Sequence, residues 1–187
     1  MAVDQNNNEI WIGTNSFGIS RFDGIDNWKH FKKAIPPIDT VDRESNTFGF
    51  LTKTYNYTPD TALIGNAISS LEIDNIGRVW AGFVPDPTKG EFGGVEIYRD
   101  SLWEFIDFNL RDKTINDFYI SDQNQIWIST KSGLIQFNDF SDYKLFTDYN
   151  SGLPASNISS VYPNKNTNTL WIGTRTKGIV KFKEYSL

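Results

Sequence analysis

One histidine and no cysteine among 187 residues limit the chemistry this chain can perform. A Ser-His-Asp arrangement needs an imidazole placed beside a nucleophile, and a paired Cys/His metal set needs several such ligands. His30 lies in WKHF at 28–31, a run expected to form an outermost strand, so a satisfied surface imidazole is the reading there. The acidic pairs Asp42 with Glu44 and Asp86 with Glu91 fall in loop-like segments without a defined partner, and read as solvated charge. DQNNN at 4–8 is rich in oxygen ligands but lacks the spacing and terminal bidentate acid of a calcium loop. Asp and Asn recur at the same place in later segments, where turn geometry asks for them. No catalytic residue, no metal site and no cofactor is therefore expected. The triplets at 56–58 and 157–159 fit a glycosylation acceptor, which matters only in a eukaryotic secretory setting.

The elements that would position any site are announced by a repeat. WIGT at 11–14 returns unchanged at 171–174, as WIST at 127–130 and as WAGF at 80–83. Each copy follows an Ile-containing stretch and an Asp/Asn turn. Each precedes a short alternating run that starts at Gly and reaches an aromatic: GISRF at 18–22, GVEIY at 94–98, GLIQF at 133–137, GIVKF at 178–182. A fourth piece, opened by Trp28, Trp103 or Tyr143, follows in three copies. The tryptophans lie 69, 47 and 44 residues apart, two of these spacings matching a four-stranded propeller blade. Period-two alternation and short Asp/Asn/Gly connections mark antiparallel hairpins, and no helical periodicity is sustained. The fold class expected is all-β: a propeller of about four blades, each a meander of strands a to d.

Composition agrees. Apolar residues make up 39% and charged residues 22%, as in ordinary globular proteins. A net charge of −5 without a basic cluster argues against a nucleic-acid partner. No apolar run is long enough to insert in a membrane, and MAVDQNNNEI carries no export signal.

The pattern ISSxxxDxxxxxWIGTxxxGIxxF resembles the two-component-regulator propeller repeat. Such repeats build ligand-binding sensor domains of bacterial hybrid histidine kinases and related secreted proteins. The segment SGLPASNISS at 151–160 looks like that family's inter-blade linker, and 61–70 matches it at Leu63, Ile68, Ser69 and Ser70. The resemblance covers nearly all of the chain except about 33–60. It implies a periplasmic or extracellular, signal-transducing sensor whose ligands are often glycans.

The expected organisation is one repeat domain: blade 1 over about 1–32, an insertion at 33–60, blade 2 over 61–107, blade 3 over 108–150 and blade 4 over 151–187. Blade 4 lacks its outer strand, giving fifteen strands. The chain is read as an incomplete arc, or a half-ring that pairs with another copy through open blade edges. Trp11, Trp80, Trp127 and Trp171 are expected to fill the inter-blade layers, with the WIGT glycine permitting close approach of the next sheet.

Departures from the repeat locate the candidate site. The connection 33–60 and the b–c segment 84–92 of blade 2 are both longer than their counterparts. In an up-and-down meander both project from the same face, where propellers commonly bind ligands. Phe48, Phe50, Tyr55, Tyr57 and Phe92 could stack on a sugar ring or a peptide, and Lys89 and Glu91 could set its orientation. An equal alternative is that the longer loop only covers the rim of blade 1 or 2. The function expected is a non-catalytic binding module for a glycan, peptide or protein. The alternatives are a lyase or hydrolase related to the streptogramin lyases, which use a metal and a channel-facing histidine, and a structural repeat that mediates assembly.

Overall fold

A computed structural model describes residues 1–33, 62–106, 110, 113–121, 125–139, 142–164 and 169–183. Among these residues sixteen strands form four sheets in chain order. The first sheet holds β1 (Ala2–Asp4), β2 (Glu9–Gly13), β3 (Ile19–Phe22), β4 (Trp28–Lys33) and β5 (Ala62–Leu63). The second holds β6 (Ile68–Ile73), β7 (Val79–Phe83), β8 (Gly94–Arg99) and β9 (Leu102–Ile106). The third holds β10 (Ile115–Ile120), β11 (Ile126–Thr130), β12 (Gly133–Asp139) and β13 (Asp142–Phe146). The fourth holds β14 (Ile158–Asn164), β15 (Thr169–Thr174) and β16 (Gly178–Phe182). Neighbouring strands are antiparallel except β4 and β5, which pair parallel through Lys32 with Ala62 and Lys33 with Leu63. That strand is the one beyond the fifteen expected. It is two residues long and has no counterpart among the described residues of the other repeats, so periodicity could not reveal it.

Each meander has two apolar faces, and both are buried where a sheet has two neighbours. Trp11, Arg21 and Lys29 share one face of sheet 1, since they are cross-strand partners. The opposite face of sheet 2 carries the row Ile73, Val79, Tyr98, Trp103. The two faces meet: Trp11 lies 5.0 Å from Tyr98 and 6.1 Å from Trp103, ring to ring. The next joint repeats the arrangement, with Trp80 5.5 Å from Phe137. In the third, Trp127 shares a cluster with Ile172, Val180 and Phe182. Three apolar clusters thus lie between successive sheets rather than within them.

The glycine of the motif does what its position predicts. A Cβ on Gly82 would sit 2.6 Å from Ile115 and 3.1 Å from Phe118 of the next sheet, and one on Gly13 would collide with Ile68. The motif threonine closes the b–c turn. Thr130 Oγ1 donates to the Gly133 carbonyl and accepts from Ser132 N, and Thr14 and Thr174 do the same for Gly18 and Gly178.

The tryptophan expectation holds for three of four. Trp11, Trp80 and Trp127 are buried, but Trp171 is 44% exposed. Its face of sheet 4 points away from sheet 3, and no described strand packs on it, unlike the faces that bury the other three.

Candidate functional site

Blade 2 departs from the turn chemistry just described. Phe83 stands where the other copies have threonine, and the chain runs through 84–93 before strand c begins. Asp86 opens a single 3-10 turn at Pro87–Lys89, its carboxylate accepting from Thr88 N at 3.1 Å and Thr88 Oγ1 at 2.6 Å. Gly90 closes it at φ +61°, a left-handed conformation glycine adopts without strain. Lys89 pairs with Asp86 at 2.7 Å. Hydrogen bonds from Lys89 and Thr88 hold the Asp86 carboxyl down to about 2.

This loop is tied to both described ends of the long connection. Lys33 Nζ donates to the carbonyls of Lys89 (2.9 Å) and Gly90 (2.6 Å), while Lys33 N donates to Asn66 Oδ1. Asn66 in turn donates from N and Nδ2 to the two oxygens of Glu91, at 3.2 and 3.0 Å. Phe92 N donates to the Ile64 carbonyl, and Val84 N to that of Ala67. The ends at Lys33 and 63–67 therefore lie on the same side as 84–93, as strand order predicts. Phe48, Phe50, Tyr55 and Tyr57, and the pair Asp42 and Glu44, lie outside the described residues.

The remaining predicted site residues separate into two groups. Lys89 and Phe92 face outward, Phe92 being 40% exposed. Glu91 does not: it is buried, with both oxygens on Asn66. The reading of Asp86 and Glu91 as solvated charges without partners is corrected: Glu91 is buried and paired, and Asp86, still partly exposed, has Lys89 and Thr88 as partners. A carboxylate beside a loop that must be held in place meets unpaired backbone N–H groups, and these supply the partners. His30 is exposed on β4, its Nδ1 2.8 Å from Ser20 Oγ, as expected for a surface imidazole.

Two residues of the site were missed. Asn66 is the hub of the network, yet nothing in a lone Asn in a linker signals that. Glu96 is fully buried on β8 and accepts from Ile64 N at 3.3 Å. Desolvation pushes its carboxyl up to about 8, against one backbone hydrogen bond that works the other way. Its signal was present: Glu96 has the parity of Tyr98, and in a propeller both parities of strand c are interior.

Among the described residues no group of three or more His, Cys, Asp or Glu could hold a metal ion. No helix among them is long and apolar enough to cross a membrane.

No family model matches the sequence, and no curated protein does. Solved structures do. The chain is similar to the extracellular domain of BT3049 from B. thetaiotaomicron, assigned to a hybrid two-component system, with TM-score 0.61 and 24% identity. That match covers 96% of this chain and 22% of the other. A catalytically inactive virginiamycin B lyase from Staphylococcus aureus with quinupristin matches at TM-score 0.54 and 12% identity, covering 97% and 54%. YCF48 bound to D1 peptide matches at TM-score 0.53 and 12% identity, covering 97% and 48%. The chain thus spans about a fifth to a half of the structures it resembles. The fold is that of a partial β-propeller, and the first of these neighbours is the kind of extracellular domain that the repeat resemblance implied.

Proposed function

We propose that the chain is a non-catalytic recognition segment of a propeller sensor, acting outside the cytoplasm, with its binding surface on the face that carries 84–92 and the described ends of the long connection, Lys33 and 63–67. The observation that carries this is the construction of the 84–93 loop. Its inner side is fixed by Glu91, Asn66 and Lys33, and its outer side presents Phe92 and the Asp86–Lys89 pair. A rigid base under an exposed aromatic lowers the ordering cost of binding. Phe92 supplies an apolar platform for a sugar ring or an extended peptide, and Lys89 a cation at its margin. The two-component neighbour favours a sensor, and the peptide-bound neighbour favours a protein or peptide ligand.

The test is binding to immobilised polysaccharides and to a peptide array, with Phe92→Ala and Lys89→Ala as variants. Phe92→Ala is expected to reduce binding tenfold or more while leaving the melting temperature unchanged, as for an exposed anchor residue. Binding that survives both substitutions would move the site off this face. Turnover of a streptogramin by the purified chain would instead favour the lyase reading, for which the virginiamycin B lyase neighbour is the support.

A further inference from the structure

A net charge of −5 conceals an uneven distribution of charge between the two rims of the sheets. The a–b and c–d turns lie on one rim, and the b–c and d–a connections lie on the other. Described turns of the first rim carry Asp23, Asp26, Asp74 and Asp100 against Arg78 and Lys183. Described connections of the second carry Lys89, Lys113, Lys131, Arg175 and Lys177 against Asp86, Glu91 and Asp148. Acids of the first rim are placed by local structure. Asp23 accepts from three backbone N–H groups of its own turn, and Asp74 from two. No such reason places the cations of the second. Among the described residues, the side chains of Lys113, Lys131, Arg175 and Lys177 make no ion pair and no hydrogen bond.

Backbone bonds join these cations into a strip. Gly94 N donates to the Lys113 carbonyl at 3.0 Å, which sets Lys113 at the end of the 84–93 loop. Lys131 N donates at 3.2 Å to the carbonyl of Thr114, the next residue. Arg175 N makes the equivalent bond to Asn157 at 2.9 Å, so Arg175 stands in blade 4 where Lys131 stands in blade 3. Large rings share this rim: Phe17 is 71%, Phe92 40% and Tyr149 95% exposed. Its carboxylates, by contrast, are engaged. Asp86 holds Thr88 and Lys89, Glu91 holds Asn66, and Asp148 accepts from Ser156 Oγ.

We infer that this rim recognises an acidic peptide segment of a protein partner, one with aromatic or apolar residues among its carboxylates. This rests on the reading of the same face as a recognition surface and adds the chemistry of its ligand. Unpaired cations attract carboxylates at long range and fix how they dock. The exposed rings then take the apolar side chains. A polysaccharide fits less well, because its hydroxyls donate as well as accept, and the rim's carboxylates are already held within their own loops.

The test is fluorescence anisotropy of a labelled peptide of Glu, Asp and Phe, with its Gln, Asn and Phe analogue as control. The acidic peptide should bind about tenfold more tightly than the analogue, and weaken as salt rises from about 50 to 300 mM, because exposed charges are screened. Lys113→Glu with Lys131→Glu should lower its affinity about tenfold with melting unchanged, while Lys131→Arg retains binding. Should the double variant fail to fold, Arg175→Glu with Lys177→Glu probes the same strip. Asp26→Lys, on the opposite rim, should leave binding as it was. Equal binding of the two peptides overturns the inference, as does charge reversal without effect. A dextran sulfate oligosaccharide that binds more tightly through the same lysines overturns it in favour of a polysaccharide. If neither peptide binds, yet another ligand still depends on Phe92, the acidic ligand falls and the recognition face stands. Acidic-peptide binding that withstands both charge reversal and Phe92→Ala removes the face itself.

Discussion

A tryptophan in this fold is stabilised by what the next sheet offers it, not by its own strand. Trp80 shows the fullest case, its Nε1 donating to the buried Asp74 carboxylate at 2.9 Å while its ring meets Phe118 and Phe137. Trp127 stands between Phe146 of its own sheet and the core of sheet 4. Trp127→Ala should therefore cost about 3–5 kcal/mol in denaturant unfolding, the usual loss for a deleted core aromatic. Glu96 makes a different prediction. Its folded carboxyl titrates near 8, above the ordinary 4.5, because burial disfavours the charged form. The folded state thus binds its proton more tightly than the unfolded chain does. The associated stability is fully present below about pH 4.5 and is lost as pH rises through about 8. Glu96→Gln should melt higher than the parent at pH 8.5 and lose that advantage at pH 4.5. A parallel pH profile for both proteins would mean that burial does not shift the Glu96 carboxyl.

At the scale of elements, the motif threonine decides which b–c turns are tight. Thr130 makes two hydrogen bonds within its turn, and Thr130→Val should cost about 1–2 kcal/mol by leaving buried backbone groups unpaired. Blade 2 has Phe83 at this position, and a ten-residue loop takes the place of the tight turn. The repeat made the strands legible because WIGT, the Gly-started run and the Asp/Asn turns recur in register. Asp74 illustrates why: one carboxylate satisfies Ile76 N, Arg78 N and Trp80 Nε1, so its residue type is dictated locally. The candidate site was legible only as a departure from the pattern. Lys89 and Phe92 face outward, but Glu91 was misread because its partner, Asn66, is 25 positions away in the chain. Nor could any local rule place Trp171, whose environment depends on a neighbouring sheet. Asn66→Ala should accordingly lower both stability and ligand binding, unlike Phe92→Ala, because it releases the base of the loop. Equal effects of the two on melting would place Phe92 in the core after all.

Across the whole molecule, stability is graded because each sheet contacts only its neighbours. Every residue of Val79–Phe83 and Ile126–Thr130 is buried, whereas Trp11 alone is buried in Glu9–Gly13 and none is in Gly178–Phe182. Among the described residues, each central sheet packs against a sheet on either side and each end sheet against one. In a quasi-one-dimensional array the end units open first, since they lose one joint rather than two. Amide hydrogen exchange at low concentration should therefore show slow exchange in β7, β8, β11 and β12, and faster exchange in β2, β3, β15 and β16. Exchange that is uniform across all four sheets would mean the arc opens as one unit, and the nearest-neighbour account would fail.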